Sequence, residues 1–237
     1  MTQNWNHPDT ARLWDAKGNR RNPIRFEQLD ILVSILESAY AKDAWILDLG
    51  YGSGQVEKLI FERLPEASVV GVDNSEAMME LAKQRLSENT SRFVSVRHDL
   101  GDIDTLSLPN HKYQFVIAIQ SLHHLSKEQM QAVYRYIYRT LEPGGLFLLL
   151  DRLQVETKGL WEVYHTVWAR QDRLYESTVA SHEGTSFEDH QRTVLDRGDY
   201  PVLLDEHLEW LRKSGFEAAC LHAHGHRALI VGRKPLA

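Results

Sequence analysis

The feature that most constrains this chain is the stretch from Trp45 to Gly54, Trp-Ile-Leu-Asp-Leu-Gly-Tyr-Gly-Ser-Gly. Its first half is an apolar run broken only by Asp48, which predicts a strand buried on both faces, as in a parallel sheet. Three glycines follow, and residues 55–64 then carry apolar side chains at helical spacing. The stretch therefore predicts a strand, a glycine-rich turn and a helix. Backbone without Cβ atoms can there lie against a ligand near the N-terminus of the helix.

The spacing of the glycines narrows the choice of ligand. It is G-x-G-x-G, not the dinucleotide pattern G-x-G-x-x-G, and no Lys-Ser/Thr pair of a P-loop follows. Asp48 stands at the end of the strand, where a carboxylate favours a cationic ligand. Asp73 ends a second apolar strand 23 residues after Gly50, about the offset at which a carboxylate reaches a ribose diol. Asp99 follows a third strand and can accept from an exocyclic amino group, so a nucleotide-like ligand is expected.

Strands and helices alternate along most of the chain. The predicted strands are residues 45–49, 69–73, 91–99, 113–120, 146–150, 216–223 and 226–233. The predicted helices are residues 24–41, 55–64, one capped by Ser75, 127–141, 160–175 and 203–214. Five strand–helix alternations indicate a doubly wound parallel sheet, because parallel neighbours need crossover connections. The last two strands, joined at Gly225, indicate an antiparallel hairpin.

Taken together, these motifs resemble the class I S-adenosylmethionine-dependent methyltransferase family. The glycine motif, Asp73 and Asp99 stand in family order and spacing, residues 113–125 look like the fourth-strand motif, and residues 141–150 look like the turn into the fifth strand. The resemblance implies an α/β fold of Rossmann-like, doubly wound type. Its mostly parallel sheet would carry a C-terminal antiparallel hairpin, a helical N-terminal cap and an insertion after strand five.

The resemblance also implies S-adenosyl-L-methionine as the cofactor, S-adenosyl-L-homocysteine as its product, and a set of cofactor-binding residues. These residues are Asp48, Gly50, Tyr51, Gly52, Gly54, Asp73, Asn74, Met78, Asp99, Leu100 and Gln120. Tyr51 departs from the family, which often has cysteine or a small residue there. Its ring is expected either to touch the methionine part of the ligand or to cover the turn, and Met78 either contacts the adenine ring or belongs to the core.

One domain, 1–237, is expected, with residues 1–42 as the N-terminal cap and residues 154–200 as an insertion over the acceptor pocket. The leader carries Trp5 and Trp14, which fit either a lid over the cofactor or an anchored tail. The insertion fits a wall of the acceptor pocket better than an amphipathic helix with a solvated loop. Its aromatic surface would come from a helix carrying Trp161, Tyr164, His165 and Trp168.

Methyl transfer from a sulfonium is an in-line displacement, in which an O–H or N–H acceptor must also lose a proton. His123, which follows strand four, is the first candidate for the base, and His165 is the second. The His-His-Leu run at residues 123–125 also fits a structural turn. Residues 222–226, His-Ala-His-Gly-His, fit hairpin-tip histidines in solvent better than a metal site, so no metal is expected.

The composition of the chain limits which binding partners and which cellular compartment are expected. Apolar residues make up 43% and charged residues 25% of the chain, the formal net charge is −6, and basic residues cluster only at residues 20–25. This balance disfavours nucleic acid and membranes as partners. Cys220 is the one cysteine, no signal peptide is evident, and no apolar run approaches the roughly 20 residues that span a bilayer. A cytoplasmic enzyme acting on a small organic acceptor is expected.

Other functions remain possible on the sequence alone. A protein or nucleic-acid methyltransferase should show a basic groove or a recognition module, and neither is evident. A non-catalytic S-adenosylmethionine-binding protein would keep the same glycine turn and acids. An NAD-dependent oxidoreductase is disfavoured because the third glycine comes one residue early. The sequence leaves open the acceptor, the methylated atom and the oligomeric state.

Overall fold

The computed structural model describes residues 5–236, except for the side chains of residues 17–21, which include part of the basic cluster. Seven strands in this part of the chain form one sheet in the order β3-β2-β1-β4-β5-β7-β6. Their bounds are β1 Trp45–Leu49, β2 Ser68–Asp73, β3 Phe93–Arg97, β4 Tyr113–Ile119, β5 Leu141–Arg152, β6 Glu217–His224 and β7 Arg227–Arg233. Strands β1 to β5 pair in parallel, whereas β7 pairs antiparallel with both β5 and β6. The predicted fold class is confirmed.

Helices cover both faces of this sheet. Their bounds are α1 Pro8–Arg21, α2 Arg25–Ala39, α3 Gln55–Arg63, α4 Glu76–Arg85, α5 Lys127–Thr140, α6 Trp161–Tyr175, α7 Val179–Glu183, α8 Phe187–Asp196 and α9 Leu204–Lys213. Alternate residues of β1 point to opposite faces of the sheet. Ile46 packs among side chains of α2 and α3, and Leu47 belongs to the core that α5 and α9 cover. None of the helices in residues 5–236 is long and apolar enough to cross a bilayer.

The sequence pattern missed two helices in the insertion. The polar run after α6 contains α7 and α8, and Ser186 caps α8 by accepting a hydrogen bond from Asp189 N at 3.1 Å. Tertiary contacts hold these short segments: the side chain of Glu183 at the end of α7 is fully buried. Short helices with few apolar residues give little periodic signal, which explains the miss.

The aromatic residues of α6 build a small core of the insertion and do not wall a pocket, which corrects the expectation above. Trp161 and Trp168 pack with Val155 and Val179, and Trp168 is fully buried. The indole Nε1 of Trp168 donates to His226 Nδ1 at 2.9 Å, so α6 is fastened to the β6–β7 hairpin.

The solvent placement expected for the histidines of the hairpin was also wrong. His226 is 2% exposed. His222 and His224 are half-buried and hydrogen-bond Gln28 and Gln171, at 3.2 and 2.9 Å. The histidines of this hairpin therefore hold neighbouring helices in place.

The leader is tied across the glycine turn. The carbonyl of Trp5 accepts a hydrogen bond from Ser75 Oγ at 2.7 Å. Asp15 in α1 accepts from Ser53 Oγ at 2.5 Å and from Gln55 Nε2 at 2.6 Å, and it pairs with Arg85 at 2.7 Å. Burial opposes the charge of Asp15, but Arg85 leads the interactions that leave its pKa below the usual value. These bonds anchor the leader at the ligand edge of the sheet.

A histidine in the core makes the fold sensitive to acid. His207 of α9 is 1% exposed, and its Nδ1 shares a hydrogen bond with Tyr134 Oη at 2.6 Å. Its Nε2 is buried without a hydrogen-bond partner among the described residues, and burial lowers the pKa of His207 to about 4. The folded protein therefore keeps this ring neutral well below the pH at which the unfolded chain protonates it.

We expect the free energy of unfolding to fall as the pH drops from about 6.5 toward 4, because only the unfolded chain takes up this proton. Asparagine at this position offers a side-chain amide to Tyr134 but takes up no proton in this pH range. The His207→Asn substitution should therefore reduce the loss of unfolding free energy between pH 7 and pH 4.5 by about 2 kcal/mol. Urea unfolding at the two pH values measures the difference. The exposed His7→Asn variant serves as the control, and equal losses in both variants would contradict the expectation.

Candidate active site

A cavity of about 470 Å³ opens beyond the carboxyl ends of the parallel strands. Ligands of doubly wound sheets bind at this edge. The lining includes ten of the eleven predicted cofactor-binding residues, all but Gly54. The leader contributes Trp5 and Trp14, and residues 197–200 at the end of the insertion close the far side. Residues from distant parts of the sequence therefore meet around one cavity.

The glycine turn uses each of its glycines differently. Gly50 has φ +85°, and a Cβ there would lie 2.3 Å from the Cβ of Ser121. Gly52 has φ +58°, and a Cβ there would meet no atom of the described residues within 4 Å, so its bare backbone borders the cavity. Gly54 precedes α3 with φ +77°, and its Cβ would press on Ala82 of α4 at 3.1 Å. Gly54 thus allows α3 and α4 to pack closely and does not line the cavity.

Asp73 closes the turn from the neighbouring strand. Its carboxylate accepts from Gly52 N at 2.9 Å and from Ser75 N at 2.8 Å. Burial raises the pKa of Asp73, although these backbone bonds act in the opposite direction. Asn74 lies beside it in the cavity lining. The arrangement places a carboxylate between β2 and the glycine turn, where the sequence predicted the ribose contact.

Other predicted positions surround the same end of the cavity. Asp99 and Leu100 follow β3, and the Asp99 carboxylate accepts from Gly101 N at 2.8 Å. Gln120 follows β4 with φ +56°, a backbone conformation uncommon outside glycine, and its N–H donates to Leu150 O at 2.7 Å. Met78 is 5% exposed and borders the cavity as well as the core.

Tyr51 covers the turn while also bordering the cavity. Its ring packs edge-on against Phe93 with centroids 5.3 Å apart, and its hydroxyl shares a hydrogen bond with Ser95 at 2.8 Å. A Cβ on Gly71 would lie 2.7 Å from this ring, so the glycine of β2 leaves room for the tyrosine. The large residue at this family position is therefore accommodated by a glycine on the adjacent strand.

A pair of buried acids lies beneath the turn. Both carboxyl oxygens of Asp48 and both of Glu57 are buried without a hydrogen-bond partner among the described residues. Burial and the neighbouring Glu57 raise the pKa of Asp48 well above its usual range. Arg25, also buried, lies close enough to oppose this rise through its charge. Asp48 borders the cavity and Glu57 does not, so Asp48 is the acid of this pair that fits the sulfonium and ammonium groups of S-adenosylmethionine.

The opposite end holds a histidine–aspartate pair. His123 Nδ1 is hydrogen-bonded to Asp151 Oδ1, and the backbone N–H of His123 donates to Asp151 Oδ2 at 3.0 Å. Burial opposes ionisation of Asp151, but His123 leads the interactions that leave its pKa below the usual value. Because a carboxylate only accepts, Nδ1 carries the proton and Nε2 presents its lone pair. Burial lowers the pKa of His123, which keeps the ring neutral.

A buried ion network connects this pair to the insertion. Arg152 donates to Asp199 Oδ2 at 2.7 Å and to Glu183 Oε2 at 2.5 Å. The other oxygen of Asp199 lies 3.2 Å from His124 Nδ1 and 3.7 Å from His123 Nε2. Burial lowers the pKa of His124, but the bond to Asp199 outweighs it and the pKa is raised. Asp199 thus favours the charged form of His124, while burial favours the neutral form of its neighbour.

Comparison with known proteins agrees with this geometry. A family model described as "Methyltransferase domain" matches residues 46–145. The carboxy-S-adenosyl-L-methionine synthase of Pseudoalteromonas translucida is 30% identical over 177 residues, covering 72% of this chain and 68% of that protein. The chain belongs to the class I S-adenosylmethionine-dependent methyltransferase family.

Two further proteins extend the comparison. The demethylmenaquinone methyltransferase of Chlamydia pneumoniae is 32% identical to this methyltransferase over 159 residues, 64% of each chain. A solved structure described as "PigF with SAH" superposes with a TM-score of 0.64 at 20% identity, covering 97% of this chain and 61% of that one. This methyltransferase therefore spans less than two thirds of that structure, and the likeness to it concerns the fold. The cofactor of the family is S-adenosyl-L-methionine.

His165, the second predicted base, lies elsewhere in this methyltransferase. It is half-buried on α6, its ring centroid is 6.0 Å from that of Trp161, and it is not among the described residues that line the cavity. Neighbouring residues of this helix pack into the insertion core. Catalysis by His165 is therefore not supported by its position.

Three side chains approach the geometry of a metal site. Single ligand atoms of His123, His124 and Asp199 lie within 4.8 Å of one another, and this is the one such group that also borders the cavity among the described residues. The carboxylate of Asp199 is, however, already paired with Arg152 and with the protonated form of His124. An ion network explains the cluster without a cation, since cationic neighbours disfavour a second positive charge.

Several residues of the site were missed from the sequence. Glu57, Arg152, Asp199, Tyr200 and Arg227 have no motif of their own, and four of them reach the cavity only because the sheet and the insertion fold together. Glu57 is on α3, where it looked like an ordinary helix glutamate. The Gly-Asp-Tyr-Pro run at 198–201 was the one available signal, and it indicated only a turn.

We expect Gly52→Ala to fold yet to lose at least tenfold in affinity for S-adenosylhomocysteine, because its methyl group would occupy the open space beside the turn. The left-handed backbone adds a cost of about 1–2 kcal/mol. Gly50→Ala should be less stable still, since its Cβ meets Ser121 at 2.3 Å. Calorimetric titration and urea unfolding measure the two effects. Gly159→Ala, outside the cavity, is the control, and unchanged affinity in Gly52→Ala would contradict the placement of the cofactor.

Proposed function

We propose that this enzyme methylates a small organic acceptor and that His123 removes the acceptor's proton. The observation that carries the proposal is the position of His123, which borders the same cavity as the cofactor turn and is hydrogen-bonded through Nδ1 to the buried Asp151. A neutral histidine oriented by a carboxylate is suited to general-base catalysis near neutral pH.

The residues that would hold the cofactor lie at the end of the cavity nearest β1 and β2. Gly52 would offer bare backbone, Asp73 would contact the ribose, and Asp99 would lie beside the adenine. Asp48 would lie below the methionine part, where a cationic group favours its ionised form. Bound there, S-adenosylmethionine supplies an electrophilic methyl group on a sulfonium that is its own leaving group.

The work left to the protein is alignment and removal of one proton. Aligning donor and acceptor contributes on the order of 7–11 kcal/mol in well-oriented reactions. His123 Nε2 accepts the proton of an acceptor O–H or N–H, and Asp151 stabilises the resulting imidazolium through Nδ1. Tyr200 N donates to the carbonyl of His123 at 2.5 Å, so the insertion also fixes the backbone of the base.

The volume of the cavity supports a small acceptor. A volume of about 470 Å³ must hold both the cofactor and the acceptor, and pockets of small-molecule ligands begin at roughly 300 Å³. The rings of Trp5 and Trp14 meet edge to face at 6.2 Å above the turn, and Trp5 also contacts His124. We infer that the leader acts as a lid that excludes water. The demethylmenaquinone methyltransferase relative is named for a small acceptor, which agrees with the proposal.

The acceptor class is tested by incubating the enzyme and S-adenosylmethionine with three fractions of a cell extract: small metabolites, RNA and protein. We expect S-adenosylhomocysteine to form only with the metabolites, as measured by mass spectrometry. His123→Asn is the control for background hydrolysis. Product with RNA or protein would overturn the acceptor class. A carboxylated cofactor, the compound named in the Pseudoalteromonas translucida relative, would overturn methyl transfer as the reaction.

The role of the base is tested with His123→Asn, whose amide can keep the bond to Asp151. We expect turnover to fall by about 10²–10⁴, with the dissociation constant of S-adenosylhomocysteine unchanged. In the wild type, the rate should fall only below pH values near 6.5, because burial lowers the pKa of His123 and the ring is neutral above it. His165→Asn, outside the cavity, is the control. Turnover within twofold of wild type in His123→Asn would remove the base.

A further inference from the structure

One guanidinium of the cavity has no partner in the described part of the protein. Arg227 opens β7 and borders the cavity, and its Nε is buried without a hydrogen-bond partner. No ion pair or side-chain hydrogen bond joins it to another described residue. Every other arginine that borders the cavity makes polar contacts, as Arg152 does with two carboxylates.

The register of the sheet makes this isolation unfavourable. Arg227 lies directly opposite Arg152 in the antiparallel pair of β7 with β5. Like charges that face each other across two strands destabilise the pair. The charges of Glu183, Asp151 and Asp199 favour the charged form of Arg227. None of these carboxylates forms an ion pair with it in the described part of the protein, because Glu183 is shared between Arg152 and His226, and Asp199 between Arg152 and His124.

Arg227 nevertheless remains charged at neutral pH. Burial lowers the pKa of Arg227 to about 10, and the charge of Arg152 acts in the same direction. Arg227 is partly exposed, but its buried Nε lacks a hydrogen-bond partner among the described residues, which an anionic ligand in the cavity can supply. An unpaired guanidinium nitrogen on a charged residue that borders the binding cavity points to a ligand with the opposite charge.

The position of β7 assigns this ligand to the acceptor. The acids that fit the cofactor lie at the carboxyl ends of β1 and β2 and just after β3, whereas β7 lies on the far side of β5. Arg25 is at the cofactor end, close to Asp48 and Glu57, and serves that end of the cavity. We infer that the acceptor carries an oxyanion, a carboxylate or a phosphate, which pairs with Arg227; this inference rests on the proposed methyl transfer to a small molecule.

The test is calorimetric titration of the protein saturated with S-adenosylhomocysteine. The probes are benzoate, its neutral isostere benzamide and inorganic phosphate, with ionic strength matched by sodium chloride. We expect benzoate or phosphate to bind the wild type at least tenfold more tightly than Arg227→Gln, and benzamide to bind neither. Binding of benzoate would indicate a carboxylate on the acceptor, and binding of inorganic phosphate would indicate a phosphate group. Arg170→Gln, which removes an exposed arginine of α6, should behave as the wild type.

Three results would overturn the inference. Neither anion binds the wild type, the wild type and Arg227→Gln bind the anions equally, or benzamide binds the wild type as tightly as benzoate does. Arg227→Gln should keep the affinity for S-adenosylhomocysteine within twofold, and its melting temperature should match or exceed that of the wild type. Lost cofactor affinity would assign Arg227 to the cofactor, and a lower melting temperature would assign it to the fold. If the wild type fails to bind S-adenosylhomocysteine, the proposed function fails, and the same titration without it still decides the anion site.

Discussion

The arrangement of this active site depends on the burial of one charge, that of Arg152. The side chain is 4% exposed at the end of β5, and both of its terminal nitrogens bind carboxylates from the insertion, Glu183 and Asp199. An unpaired guanidinium buried this deeply would cost several kcal/mol of folding free energy. The insertion must therefore pack against the end of β5 so that both carboxylates reach the guanidinium. The aromatic core of the insertion packs mainly on itself and on the hairpin, and would not alone place Asp199 over the sheet edge.

At the edge of the sheet, Asp199 lies beside two adjacent histidines that favour different protonation states. His124 faces its carboxylate directly and is favoured as the imidazolium, whereas His123 is bonded through Nδ1 to Asp151 and stays neutral. The two adjacent histidines are thereby held by two different carboxylates. The cavity is lined unevenly: Asp48, Asp73 and Asp99 lie at the carboxyl ends of β1 to β3, and Arg152 and Arg227 lie on the adjacent strands β5 and β7.

The cofactor end was predictable from the sequence because its residues are close neighbours in the chain. Asp48 and the glycines lie within seven residues, and each later acid ends a strand of recognisable pattern. Parallel strands bring their carboxyl ends to one edge, so strand order needed no further information. His123 followed from the same rule. The acceptor end was not predictable, because Asp199 and Arg227 acquire their roles only through contacts with β5, and helices α7 and α8 have too little periodicity to be found.

The sequence by itself determined the alternation of strands and helices, the glycine turn, its acids and hence the family and cofactor, because these are local patterns of spacing and polarity. Only the tertiary structure decided which side chains share the acceptor end, that α6 packs inward, and that the leader crosses the cofactor turn. The physical reason is that pairing of buried charges, such as Arg152 with Asp199 47 residues away, depends on burial and register. Neither the burial nor the register of such a pair can be inferred from the sequence when its two residues lie far apart in the chain.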